Sequence, residues 1–172
     1  MSRCLGFALE NLRQVVLGFR QARALKKSTS LAIGYGLPIL SQPPEELTRP
    51  LLHRVHSAIE LAARNARAAR RLRNYVRFVL IREGKVSGFL KASRTIVLSH
   101  ELLMHASTEE IASVIVHETV HARINAFGVG TWSSRLPEIE SRCLREQMEF
   151  LEHLPGTEHI IQHLQQYVGT VW

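Results

Sequence analysis

Cysteine is nearly absent from this chain: there are two in 172 residues, Cys4 and Cys143, far apart and in no C-x-x-C spacing. That leaves no disulfide framework and no sign of a cysteine-based metal site, and it fits a reducing compartment. Long hydrophobic runs are missing too. The most apolar stretch, Leu31 to Leu40, is about half the length a membrane-spanning helix needs and is broken by Gly34, Gly36 and Pro38. Glu10 and Arg13 stand where a secretory leader needs an unbroken apolar core. Neither a leader nor a transmembrane segment is therefore expected, and a cytoplasmic location is. Internal repeats and low-complexity tracts are lacking as well.

What is present is an ordinary globular balance, 45% hydrophobic and 22% charged, enough for one soluble domain over residues 1–172 with a real core. The formal charge is +7, and much of it sits in Arg64, Arg67, Arg70, Arg71, Arg73 and Arg77. A regular arginine spacing of this kind reads first as a solvated helix face. Binding to an anionic membrane surface or to nucleic acid phosphates is the alternative, with nucleic acid the less favoured partner. Within a separate segment 1–40, residues 3–27 place Leu5, Leu9, Leu12, Val16 and Phe19 at helical spacing among basic residues. This predicts an amphipathic helix that docks on the domain, lies peripherally on a membrane, or regulates access.

The breaker Ser41-Gln42-Pro43-Pro44 is followed by Glu45 and Glu46, which suit a helix N-terminus. The helix runs to about Tyr75, with an interruption at Pro50. Val76–Ile81, Gly88–Leu90 and Thr95–Leu98 read as short strands of a small antiparallel sheet. Ser107-Thr108-Glu109-Glu110 matches a capping box and opens a helix through about Ala126, ended by Gly128 and Gly130. Pro137 suits the first turn of a helix that stops before Pro155-Gly156, and a short helix covers Glu158 to Val168. The fold class is thus α+β, mostly helical, with the core of the domain over 76–154.

His117-Glu118-Thr119-Val120-His121 is an H-E-x-x-H motif inside the capped helix. Residues four apart lie about 40° apart around a helix axis. Both imidazoles can therefore reach one Zn²⁺ at about 2.0–2.1 Å. Glu118, about 100° round from His117, is turned away from coordination but can act on a water whose pKa the metal lowers toward ~7. The opposite face of the helix, Ile111, Ala112, Ile115 and Val116, is apolar, which argues against a chance match.

The runs Thr95-Ile-Val-Leu-Ser-His-Glu-Leu-Leu and Ser107-Thr-Glu-Glu-Ile-Ala-Ser-Val-Ile-Val-His-Glu-Thr-Val-His121 resemble the strand, short helix and active-site helix of gluzincin metallopeptidases. They are especially similar to minimal gluzincins and to the membrane-associated stress and CAAX-processing proteases. The resemblance covers roughly residues 88–152 and implies a zincin-like fold, bound zinc, peptide or protein substrates, and an edge strand that binds the substrate backbone, a role that falls to Phe89–Leu98.

A catalytic zinc usually takes a third protein ligand, and the resemblance implies a Glu on the next helix. Glu140 shares that helix's apolar face with Ile139, Cys143, Phe150 and Leu154, whereas Glu138 points toward Arg142 and Arg145. A carboxylate on a buried face needs a partner, which favours Glu140 and leaves Glu138 as the alternative, with His153 behind both. The gluzincin pattern E-x-x-x-D is incomplete on either choice, because Arg142 follows Glu138 and Leu144 follows Glu140 at that spacing. No aspartate is therefore in place to orient a ligand histidine. His159 and His163, also four apart, read as an exposed face. Tyr167, Tyr75 and Arg123 are the eligible oxyanion donors. The expected activity is zinc-dependent peptide hydrolysis with Glu118 as general base. A metal-stabilised interaction module and an arginine-rich nucleic-acid-associated protein, both without turnover, are the competing readings.

Overall fold

The computed structural model describes residues 29–128 and 135–170. The amphipathic helix expected over residues 3–27 lies outside them. Five strands form one sheet: β1 (Thr29–Gly34), β2 (Leu37–Ser41), β3 (Phe78–Arg82), β4 (Gly88–Leu90) and β5 (Thr95–Ser99), in the order β1-β2-β3-β5-β4. The expectation of an antiparallel sheet is corrected. Only the outer pairs, β1 with β2 and β4 with β5, are antiparallel, while β2–β3 and β3–β5 are parallel. The physical reason is visible in the strands themselves. Val79, Leu80 and Ile81, and then all five residues of β5 with Ile96, Val97 and Leu98 at its centre, are buried; three apolar residues in succession on each strand are the mark of strands covered on both faces, rather than an in-and-out alternation.

A parallel pair needs a crossover, and residues 42–77 supply it in helices. These are α1 (Glu45–Thr48), a 3₁₀ turn at Arg49–Leu51 that contains Pro50, α2 (Leu52–Arg64) and α3 (Ala66–Tyr75). A second break, at Asn65, was not expected. Its backbone is extended, and its side-chain oxygen accepts the N–H groups of Arg67 and Ala68, both at 3.0 Å, as the cap of α3. The other helices are α4 (His100–His105), α5 (Thr108–Ala126), α6 (Leu136–Leu151) and α7 (Glu158–Thr170). Ser99 and Ser107 cap α4 and α5 by accepting the N–H groups of Leu102 and Glu110, each at 3.1 Å. None of the described helices is long and apolar enough to cross a membrane.

Helix α5 is central: it packs on α2, α3 and α6 and touches β4 and β5. Ile59, Leu72, Ile81, Leu98, Ile115 and Leu151, drawn from six different elements, are wholly buried in the same core cluster. Arginine 71, expected on a solvated face, is only 3% exposed. Its guanidinium donates to both carboxylate oxygens of Glu146 on α6, at 2.6 and 3.0 Å. Burial raises the pKa of that carboxyl, but the hydrogen bond and charge of Arg71, joined by Arg142, outweigh it and hold the group below its usual range. Arg64, Arg67, Arg70, Arg73 and Arg77 are exposed as expected.

The segment 1–40 is not wholly separable from the domain. Most of β2 falls within it, and Ile39, fully buried, pairs with Val79 of β3. Ile39→Ala should therefore cost about 2–5 kcal/mol, the range for truncating a packed core side chain, measured by urea unfolding. A loss below about 0.5 kcal/mol would return β2 to the status of a dispensable extension.

Candidate active site

Helix α5 presents His117, His121 and Asn125 along one side, a periodicity set by the four-residue repeat, with Glu118 next to them at the cleft. With Glu140 of α6 and Ser87, Gly88 and Phe89 at edge strand β4, they line an open cleft of about 300 Å³. Glu118 is 6% exposed and His121 8%.

The two helices run antiparallel, so that Glu140 lies opposite His117 and His121 while Gln147 reaches Ser113 and His117. The Nε2 atoms of His117 and His121 are 3.1 Å apart. One oxygen of Glu140 is 3.4 Å from His117 Nε2, and the other is 3.3 Å from His121 Nε2. Ligands at about 2.0–2.1 Å on a tetrahedral zinc stand about 3.3–3.4 Å from one another. The three donors therefore have the chemistry and the spacing to hold that ion. Glu138 is exposed at the start of α6, and His153, His159 and His163 are exposed elsewhere; none of them lines the cleft.

Electrostatics separate the two carboxylates. Burial pushes Glu118 up to about 7, with the charge of Glu140 adding to the shift and His117 opposing it. The His117 and His121 imidazoles beside it pull Glu140 down to about 2 against the cost of its burial. One group is a stable anion beside the imidazoles; the other is poised to exchange a proton near neutrality.

Three residues escaped the sequence reading. Cys143, fully buried against Val120 and Ile139, brings its sulfur into a group with His117 and His121 whose ligand atoms all lie within 4.8 Å. The sequence indicated no cysteine-based metal site; the fold nonetheless brings this sulfur near both imidazoles, where burial first, and then the charges of Glu140, Glu118 and Glu146, raise the pKa of the thiol. Gln147, 5% exposed, meets His117 Nδ1 through its Oε1 at 3.0 Å. Asn125 lines the cleft with its buried Oδ1 unpartnered among the described residues. Nothing flagged Cys143 or Gln147, since both sit among apolar positions on α6. Asn125, four residues beyond His121, carried a signal in its spacing, because it continues the motif's face.

The stretch Phe89–Leu98 divides. Only β4 is an edge, whereas β5 is paired on both sides. Among the eligible oxyanion donors, Tyr75 packs edge-on against Phe127 with ring centroids 6.3 Å apart, and neither it nor Arg123 lines the cleft. The side chain of Tyr167 lies outside the described residues.

A family model described as Peptidase family M48 matches residues 51–136, half of the chain. The match opens at the 3₁₀ turn before α2, earlier than the 88–152 stretch that carried the resemblance, and it closes before Glu140. No curated protein and no solved structure matches.

Proposed function

The chain belongs to peptidase family M48, a zinc metallopeptidase family with an H-E-x-x-H motif, and from that premise we propose a peptidase in which His117, His121 and Glu140 hold zinc and Glu118 is the general base. The single observation that carries this reading is the cluster of three donor groups, the two imidazole Nε2 atoms 3.1 Å apart and one Glu140 oxygen facing each at 3.4 and 3.3 Å, beside a buried carboxylate on the cleft wall. Bound there, zinc supplies Lewis acidity, which acidifies water and polarises a carbonyl.

The chain's own residues do the rest. A carboxylate oxygen of Glu118 accepts the proton of the attacking water and delivers it to the nitrogen of the leaving amine. Its desolvation matches its proton affinity to neutral pH, which makes both transfers feasible. The unpaired edge of β4 offers backbone N–H and C=O groups to an extended peptide, and its short length limits the contact to a few residues. Asn125 lines the same wall as a polar side chain beside the two histidines. Substrates are peptides or proteins in an extended state. The zincin-like arrangement of sheet and helices, the single domain over 1–172, a cytoplasmic setting and peripheral contact with an anionic membrane through the basic segment belong to the same reading.

The test is direct. The purified protein should take up about one Zn²⁺ per chain and cleave a mixed peptide library, with cleavage lost on chelation and restored by zinc. Metal content near zero with no uptake on titration would end the proposal.

A further inference from the structure

We infer that Gln147 is a positioning residue, oriented by Ser113, that fixes the proton of the His117 imidazole on Nδ1 and so leaves Nε2 bare toward the metal position. The inference deepens the zinc reading above and rests on it for its metal consequence only.

The hydrogen bonds dictate the direction. Ser113 Oγ lies 2.8 Å from the backbone carbonyl oxygen of Glu110 on its own helix. A carbonyl has no proton to give, so the one hydroxyl proton of Ser113 points there. Ser113 Oγ must then accept from Gln147, whose Nε2 is 3.0 Å away. With its amide nitrogen committed to Ser113, Gln147 turns its Oε1 to His117 Nδ1 at 3.0 Å. A contact between that oxygen and a ring nitrogen is a hydrogen bond only when the nitrogen donates. Nε2 then carries no proton and accepts from His121 Nε2 at 3.1 Å, with its lone pair turned toward the shared metal position. The reversed amide would require Ser113 to withdraw its proton from Glu110.

Burial makes the chain of bonds matter. Ser113 is fully buried and Gln147 is 5% exposed, where α5 packs on α6. An amide left unsatisfied there would carry the full cost of its lost hydration. The position answers the missing aspartate of E-x-x-x-D: Leu144 stands at that spacing from Glu140, and Gln147, seven residues from Glu140 and so on the same stripe of α6, supplies the oxygen instead. His121 has no counterpart, since its Nδ1 is buried and unpartnered among the described residues. One of the two imidazoles is thus set in advance and the other is not.

The experiment is nitrogen-15 NMR of the imidazoles in chelator-treated full-length protein at about pH 8.5, some two units above the ordinary histidine pKa, with His117 assigned through His117→Gln. In the wild type, His117 should carry its proton on Nδ1, the form imidazole disfavours in water. Gln147→Leu should move the signal to the Nε2–H form and weaken zinc binding about 10–100-fold in a chelator competition. Gln147→Glu, which still offers an oxygen, should keep Nδ1–H and hold zinc within a few-fold of wild type. Ser113→Ala should give a mixture of forms. An Nε2–H signal in the wild type, or a tautomer untouched by Gln147→Leu, would overturn the inference even if zinc binds. The expected tautomers in a protein that binds no zinc would sink the metal reading and leave the positioning role of Gln147 intact. The wild-type spectrum alone decides the tautomer should Gln147→Leu fail to fold.

Discussion

Glu118→Gln should keep zinc and the folded state while cutting peptide hydrolysis by about 10²–10⁴-fold, the usual worth of general-base assistance. Glu118 lines the cleft beside His117 and His121, but the cluster of donors is made by other atoms. The amide is nearly isosteric, so it removes the proton acceptor without opening a hole. It also removes a carboxylate that burial disfavours, its pKa raised to about 7. A raised carboxyl pKa means that the native state binds protons more tightly than the unfolded chain. In the metal-free protein, ionised Glu118 thus opposes folding as pH rises through about 7, and Glu118→Gln should melt no lower there than wild type. Zinc content, melting temperature and cleavage should be read on one preparation. Cleavage as fast as wild type would remove Glu118 from the mechanism, and loss of zinc would show that the ligand set is wrong. Full retention of cellular function in the variant would favour a metal-stabilised interaction module.

The second large effect is on metal affinity. Glu140→Gln should weaken zinc by more than the ~10–100-fold that loss of an outer hydrogen-bond partner costs, because Glu140 presents one oxygen to each histidine at 3.3 and 3.4 Å. Glu138→Gln, at an exposed position, should change it less than about threefold. Cys143→Ser is the discriminating third arm. The buried thiol shares a neighbourhood with both imidazoles, but it packs against Val120 and Ile139. We expect its replacement to leave zinc affinity within a few-fold. A collapse of affinity in Cys143→Ser, with Glu140→Gln silent, would transfer the third position to sulfur. A collapse in both would describe a closed four-ligand site, the structural kind, with no open position for chemistry.

Much of this centre was legible because its logic is local. The H-E-x-x-H spacing, the Ser107 cap and the preference for Glu140 over Glu138 all follow from helical periodicity, which tertiary packing leaves intact. What was illegible depended on how elements pair. Val79-Leu80-Ile81 is equally apolar in a parallel or an antiparallel ladder, so the direction of β3 could be settled only by the crossover. Gln147 and Cys143 acquire their neighbours from the antiparallel register of α5 and α6, which no pattern within one helix encodes. Arg71 looked like its exposed neighbours because its distinguishing partner, Glu146, lies far along the chain. Asn65 hid its break because asparagine is tolerated inside helices as well as at their caps.

The Arg71–Glu146 fork sets a length as well as joining two charges. A helix that slips by one residue moves about 1.5 Å, most of the length of a metal–nitrogen bond, while a working site tolerates roughly 0.5 Å of error. Glu140 and Gln147 ride on the same helix as Glu146, so any axial drift of α6 carries the carboxylate and the amide away from His117 together. Two parallel bonds of 2.6 and 3.0 Å to a guanidinium anchored in α3 permit little such drift. The tolerance of the donor cluster formed by His117, His121 and Glu140 is thus machined at a joint whose atoms never touch it.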